Sequence, residues 1–145
     1  MKYSLLILLF FSHVAFAASL KNKVYGTLLI SEITSIYDGD TFRANIESLH
    51  PLIGERMSIR VSGVDTPEIK GKCQKEKELA RKAKQITVNF LRTSKIIELR
   101  NVKRGKYFRI VADVFGDNIS LTETLINSGY AVPYYGNKKT KNWCL

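Results

Sequence analysis

The chain has 145 residues, 45% of them hydrophobic, with 23 Lys and Arg against 13 Asp and Glu for a net charge of +10. That length fits one domain able to bury its own core, and two cysteines, with His50 the one histidine beyond the apolar N-terminal run, are too few for a zinc site. So large a positive excess points to polyanionic partners, nucleic acid before anionic membrane surfaces, and specifies no chemistry by itself.

Lys2 precedes an apolar run from Leu5 to Phe16 interrupted only by Ser12 and His13, and Ala15-Phe16-Ala17 offers a small-residue cleavage site. This is the pattern of a secretory signal over residues 1–17, and the run is shorter than the roughly 20 residues of a membrane-spanning helix. The expected mature chain is one monomeric domain over residues 18–145, periplasmic or secreted, with no stable membrane anchor. In an exported protein the pair Cys73 and Cys144 is expected to form one disulfide worth about 2–4 kcal/mol, the alternative being two unpaired thiols.

Val24 to Tyr37 is rich in Tyr, Thr, Leu and Ile and predicts a long first strand with a bend at Gly26. Asp38-Gly39 turns the chain into a second strand, Thr41 to Ile46, whose alternation puts Phe42, Ala44 and Ile46 on one face. Met57, Ile59 and Val61 begin a third strand with Ser58, Arg60 and Ser62 opposite, completing an antiparallel meander. After Pro67 the period becomes helical, with Leu79, Ala83, Ile86 and Phe90 on one side and a basic face on the other, ending near Arg92. Lys95 to Val102 and Tyr107 to Phe115 read as strands four and five. In the fifth, Phe108, Ile110, Ala112 and Val114 share one face, and Tyr107 and Arg109 share the other. Ser120 with Glu123 forms a capping box for a short helix stopped by Gly129. Five strands with a long helix after the third and a short one after the fifth predict a mainly β fold with helices (α+β), a five-stranded OB-type barrel.

A phosphodiester resists attack by water because both are electron-rich, so a catalyst must grip the phosphate, offset charge on its oxygens and produce a hydroxide in line. Arginine suits the first two tasks with its planar, permanently charged fork. A hard cation held by carboxylates suits the third. Asp40 ends the first hairpin turn and Asp65 lies just past strand three, so neighbouring strands would bring both to one rim of the barrel. Thr66 can add its backbone carbonyl, and Pro67 stiffens the turn presenting Glu68. Taken singly, Asp38-Gly39-Asp40 and Asp65-Thr66-Pro67-Glu68 also read as ordinary turn residues, and Arg60, Arg109 and Tyr107 as ordinary strand-face side chains.

The order Asp-Gly-Asp-Thr, then Arg-x-x-x-x-Asp-Thr-Pro-Glu, then a long helix, then Lys-Tyr-x-Arg resembles the staphylococcal nuclease (thermonuclease) family over roughly Thr27 to Tyr135. The resemblance implies an OB barrel and calcium-dependent, sugar-nonspecific hydrolysis of DNA and RNA to 3′-phosphate products. It implies Asp40 and Asp65 as calcium carboxylates with the carbonyl of Thr66, and Glu68 as the group that orients or deprotonates water. Arg60 would hold the phosphate, Arg109 would stabilise the transition state, and Tyr107 and Tyr134 would contact the substrate. Magnesium and manganese also accept such oxygen ligands. Phe108 stands where the family usually has a small glycine, Ser62 and Gly63 stand where bulky aliphatics are common, and the final helix of the best-known member is absent from the short tail. A non-catalytic OB module binding nucleic acid by charge and stacking is the second reading, and a protein for anionic surfaces or lipids the third.

Overall fold

The structure is a computed structural model that describes residues 23–145; the expected secretory signal lies outside the described residues. Its strands are β1 (Leu28–Ile36), β2 (Thr41–Ile46), β3 (Met57–Val61), β4 (Val64–Asp65), β5 (Ile97–Arg104), β6 (Ile110–Gly116), β7 (Ile119–Ser120) and β8 (Val132–Pro133). The helices are α1 (Pro51–Gly54), α2 (Gln74–Thr93) and α3 (Leu121–Asn127).

The strands order β3-β2-β1-β5-β6, and a parallel pairing of β3 with β6 closes the ring into the expected five-stranded barrel. β1 can serve two neighbours because its register with β2 shifts twice, between Ile30 and Glu32 and between Ile33 and Ser35. Such irregularities add the coiling that closure requires. The expected bend is present at Gly26, whose φ of +81° precedes β1. Alternation inside β2 and β3 is as the sequence predicts: Phe42, Ala44, Ile59 and Val61 point inward, fully or almost fully buried, with Leu99 and Val114 completing the centre. At burial of this kind each Val, Leu, Ile or Phe side chain contributes about 1.5–3 kcal/mol.

Helix α2 starts at Cys73, whose sulfur accepts from the Glu76 backbone N–H at 3.4 Å. Its buried stripe is Glu76, Ala80, Ala83, Thr87 and Leu91, while Leu79, Ile86 and Phe90 are only half-buried. The helix is thus rotated from the face its larger apolar residues predict. The cause is the close approach to the Asp38-Gly39-Asp40 turn, which only small residues permit. A Cβ on Gly39 would lie 2.8 Å from both Ala83 Cβ and Thr66 Cγ2, and Thr87 Oγ1 donates to the Gly39 carbonyl at 2.5 Å.

The expected fifth strand is corrected at its start. Lys106–Phe108 form a 3₁₀ turn with Tyr107 and Phe108 at φ of +56° and +59°, and β6 begins only at Ile110. Tyr107 and Arg109 therefore do not share a strand face, and Phe108 is exposed rather than inward, lying over the Arg104 guanidinium at 3.9 Å. Apolar alternation continues through Phe108 in the sequence, but the tight turn closed by Gly105 N–H to Arg109 O at 2.7 Å interrupts it in space.

The tail is held at two points. β8 pairs antiparallel with β4, placing Val132 opposite Asp65, and Cys144 is disulfide-bonded to Cys73 at the start of α2. No helix among the described residues is long and apolar enough to cross a membrane.

Candidate active site

The barrel rim where β2, β3, β4 and β6 meet gathers most of the expected residues. The turn before β2 delivers Asp40, only 1% exposed, and β4 with the residue after it delivers Asp65 and Thr66, equally buried. Asp40 is fixed by three hydrogen bonds from two threonines: the Thr66 N–H and hydroxyl donate to its Oδ2 at 3.0 Å each, and Thr41 Oγ1 donates to its Oδ1 at 3.0 Å. Arg60, on the polar face of β3, pairs with Asp40 through Nη1, lies 3.7 Å from Asp65 Oδ1, and donates to the Val64 carbonyl at 3.1 Å.

A cavity of about 290 Å³ is lined by Arg60, Glu68, Arg109 and Tyr134 together with Asp38 and Lys139, and Arg60 joins it to the buried carboxylates. Four of the expected residues thus meet around one space from three distant segments. Tyr107 does not join them; its side chain is 96% exposed on the turn before β6. Arg109 is only partly buried, yet its Nε is buried with no hydrogen-bond partner, a donor held in reserve facing no protein acceptor. A second cleft of about 590 Å³ continues from the two arginines past Lys103, Lys106, Tyr134 and Tyr135.

Three residues escape sequence reading. Asp38 is 3% exposed, and its pKa is pushed up to about 6 by burial first and the charge of Glu68 second, against the pull of Arg60 and Thr41. The buried Glu76 carboxylate accepts from the Lys72 N–H at 2.8 Å and the Glu68 N–H at 3.4 Å, folding back over the loop that carries Glu68. Cys73-x-x-Glu76 lacks the Ser or Thr of a capping box, so the sequence offers only the weaker signal of an acid in the first turn of α2. Lys139 places Nζ 2.7 Å from Asp65 Oδ1 and 2.7 Å from Glu68 Oε1. Burial lowers the Lys139 pKa, but the two carboxylates beside it outweigh burial and the net shift is upward. For Arg60 burial dominates and lowers its pKa, with like-charged Arg109 adding to the effect and Asp38, Asp65 and Glu68 opposing it.

A hard cation suits the donor set. Asp40, Asp65 and the backbone of Thr66 are all oxygen donors, and Asp65 Oδ1 is buried without a directed hydrogen bond, its ion pair to Lys139 lying outside hydrogen-bond angles. The other acid and sulfur cluster, Cys73, Glu76 and Cys144, is a poor metal site because both sulfurs are spent in the disulfide and Glu76 is engaged by the loop.

A comparison with curated proteins gives no match. The family model described as staphylococcal nuclease homologue matches residues 58–144, from β3 through the tail, so Arg60, Asp65, Glu68 and Arg109 fall inside it while Asp38 and Asp40 precede it. With that match over more than half of its length, and with the closed barrel and rim just described, the chain belongs to the staphylococcal nuclease family.

Proposed function

We propose that the chain is an exported, calcium-dependent nuclease that hydrolyses DNA and RNA phosphodiesters without regard to the sugar and leaves 3′-phosphate ends. The observation that carries this reading is the cavity lined by Arg60, Arg109 and Glu68, from which the Arg60 guanidinium reaches the buried carboxylates of Asp40 and Asp65. Asp40, Asp65 and the Thr66 carbonyl are the residues that would hold the cation, which when bound lowers the pKa of water and polarises the phosphate. Arg60 has its guanidinium beside both carboxylates and grips the phosphate oxygens from β3. Arg109, entering from the turn just before β6 with Nε unpartnered, supplies donors to the charge that builds on the equatorial oxygens and the departing 5′ oxygen. Glu68, on a loop rather than in the core, accepts a proton from the attacking water. Tyr134, with Lys103 and Lys106 along the adjoining cleft, gives the strand a basic and aromatic path. Tyr107 serves as an exposed contact for a distal part of the substrate.

The apolar run before Ala17 and the Cys73–Cys144 bridge support export of residues 18–145, since disulfides persist in oxidising compartments. N-terminal sequencing of protein recovered from periplasm and medium tests that cleavage.

Purified protein incubated with plasmid and with RNA, in calcium or in a chelator, is expected to cleave both only with calcium. Arg109→Ala is expected to lower turnover by about 10²–10³ or more, the usual cost of losing one transition-state donor. Salt-sensitive binding with no cleavage under any divalent metal would instead assign the chain to nucleic-acid binding alone.

A further inference from the structure

We propose that Lys139 is a built-in rival of the divalent cation: its ammonium holds Asp65 and Glu68 in the closed tail and must withdraw before the cation site fills. The inference rests on reading Asp65 as a cation ligand, and it assigns the tail a role in setting the affinity of that site.

Three observations carry it. The first is position, since one positive charge touches both the expected ligand and the expected base at 2.7 Å each. The second is the quality of the contact. Asp65 Oδ1 is buried and has no directed hydrogen bond, so the ammonium meets its charge without satisfying its lone pairs. A ligand that binds along those lone pairs has the advantage. The Lys139 side chain is itself 44% exposed, so it retains water and can leave at little desolvation cost. The third is tethering. β8 pairs Val132 with Asp65 itself, Tyr134 Oη donates to the Asn137 carbonyl at 2.6 Å, and beyond Lys139 the buried Trp143 and the Cys144–Cys73 bridge fasten the chain again. Lys139 is thus held near the carboxylates at a high effective concentration, unlike a lysine on a free tail.

The energetic consequence is a tax on cation binding. If the closed tail outweighs the open one about tenfold, the apparent dissociation constant rises by about the same factor, because only the open fraction can bind. Neighbouring charge alone is a poor explanation, since Lys141 is also in the tail but lies over the Trp143 ring at 5.4 Å.

The test is calorimetric titration of calcium into the purified chain with its disulfide intact and no nucleic acid, comparing wild type with Lys139→Met, Lys139→Arg and Lys141→Met. Lys139→Met is expected to bind calcium about tenfold more tightly, with Lys139→Arg and Lys141→Met close to wild type. Unchanged or weaker binding by Lys139→Met overturns the proposal and leaves the cation site standing. An equal gain in Lys141→Met also overturns it, because general charge then explains the effect. If none of the four proteins binds calcium, the cation reading fails and the proposal goes with it.

Discussion

Asp38 shows how a residue can be placed at a cost to the fold. Its carboxyl is buried, and its pKa in the folded protein is about 6 against an ordinary 3.8, so folding favours the protonated form. The stabilising contribution is complete below about pH 4 and is lost as pH rises through 6, where the buried group must carry charge. Asp38→Asn is therefore expected to stabilise the cation-free protein by on the order of 1–3 kcal/mol at pH 7–8 and by almost nothing at pH 4. Urea denaturation at both pH values measures it, and a gain of the same size at each would show that ionisation is not the cause. Among single residues, Arg60, Asp65 and Glu68 were legible because turn chemistry and strand alternation fix their directions locally. Lys139 was not, because a lysine in a basic tail reads as solvated charge and its partner Glu68 is 71 positions away.

The elements carry the lesson about pattern and packing. The long helix, the hairpin at Asp38-Gly39-Asp40 and the short capped helix follow from local signals and appear where the sequence puts them. The face of α2 does not, because Leu79, Ile86 and Phe90 advertise hydrophobicity while the contact that decides the orientation is made by Ala83, Thr87 and a glycine. The start of β6 was misread for a related reason: non-glycine residues in left-handed conformation at Tyr107 and Phe108 leave no mark on an alternation pattern. The contact between α2 and the turn is exacting. Gly39→Ala forces a Cβ into space 2.8 Å from two neighbours and is expected to cost about 1–3 kcal/mol, the usual range for overpacking a tight contact. Chemical denaturation checks the stability, and calcium titration is expected to show weakened binding because Asp40 moves with the turn. A variant of wild-type stability would mean that the helix yields readily.

At the scale of the whole molecule, the disulfide joins positions 71 apart, so it restricts most of the unfolded domain. Cys144→Ser is expected to lower stability by about 2–4 kcal/mol. Thermal unfolding of the two proteins measures it, and an unchanged midpoint would show that β8 and Trp143 hold the tail without covalent help. The barrel itself was legible as five strands and two inserted helices, while the β4–β8 pairing was not, since two-residue strands carry no periodicity.

The parallel seam between β3 and β6 has a consequence for how the protein matures. It sets Arg60 opposite Val111, two positions past Arg109, and it joins segments about fifty positions apart with no hairpin to guide them. Pairings so distant in sequence form late, after the entropy of the intervening loop has been overcome. A slip of one position along that seam would turn Arg60 toward the interior. The two arginines therefore share a cavity only when the last gap in the ring has shut in register, so the proposed chemistry must wait for the completed barrel.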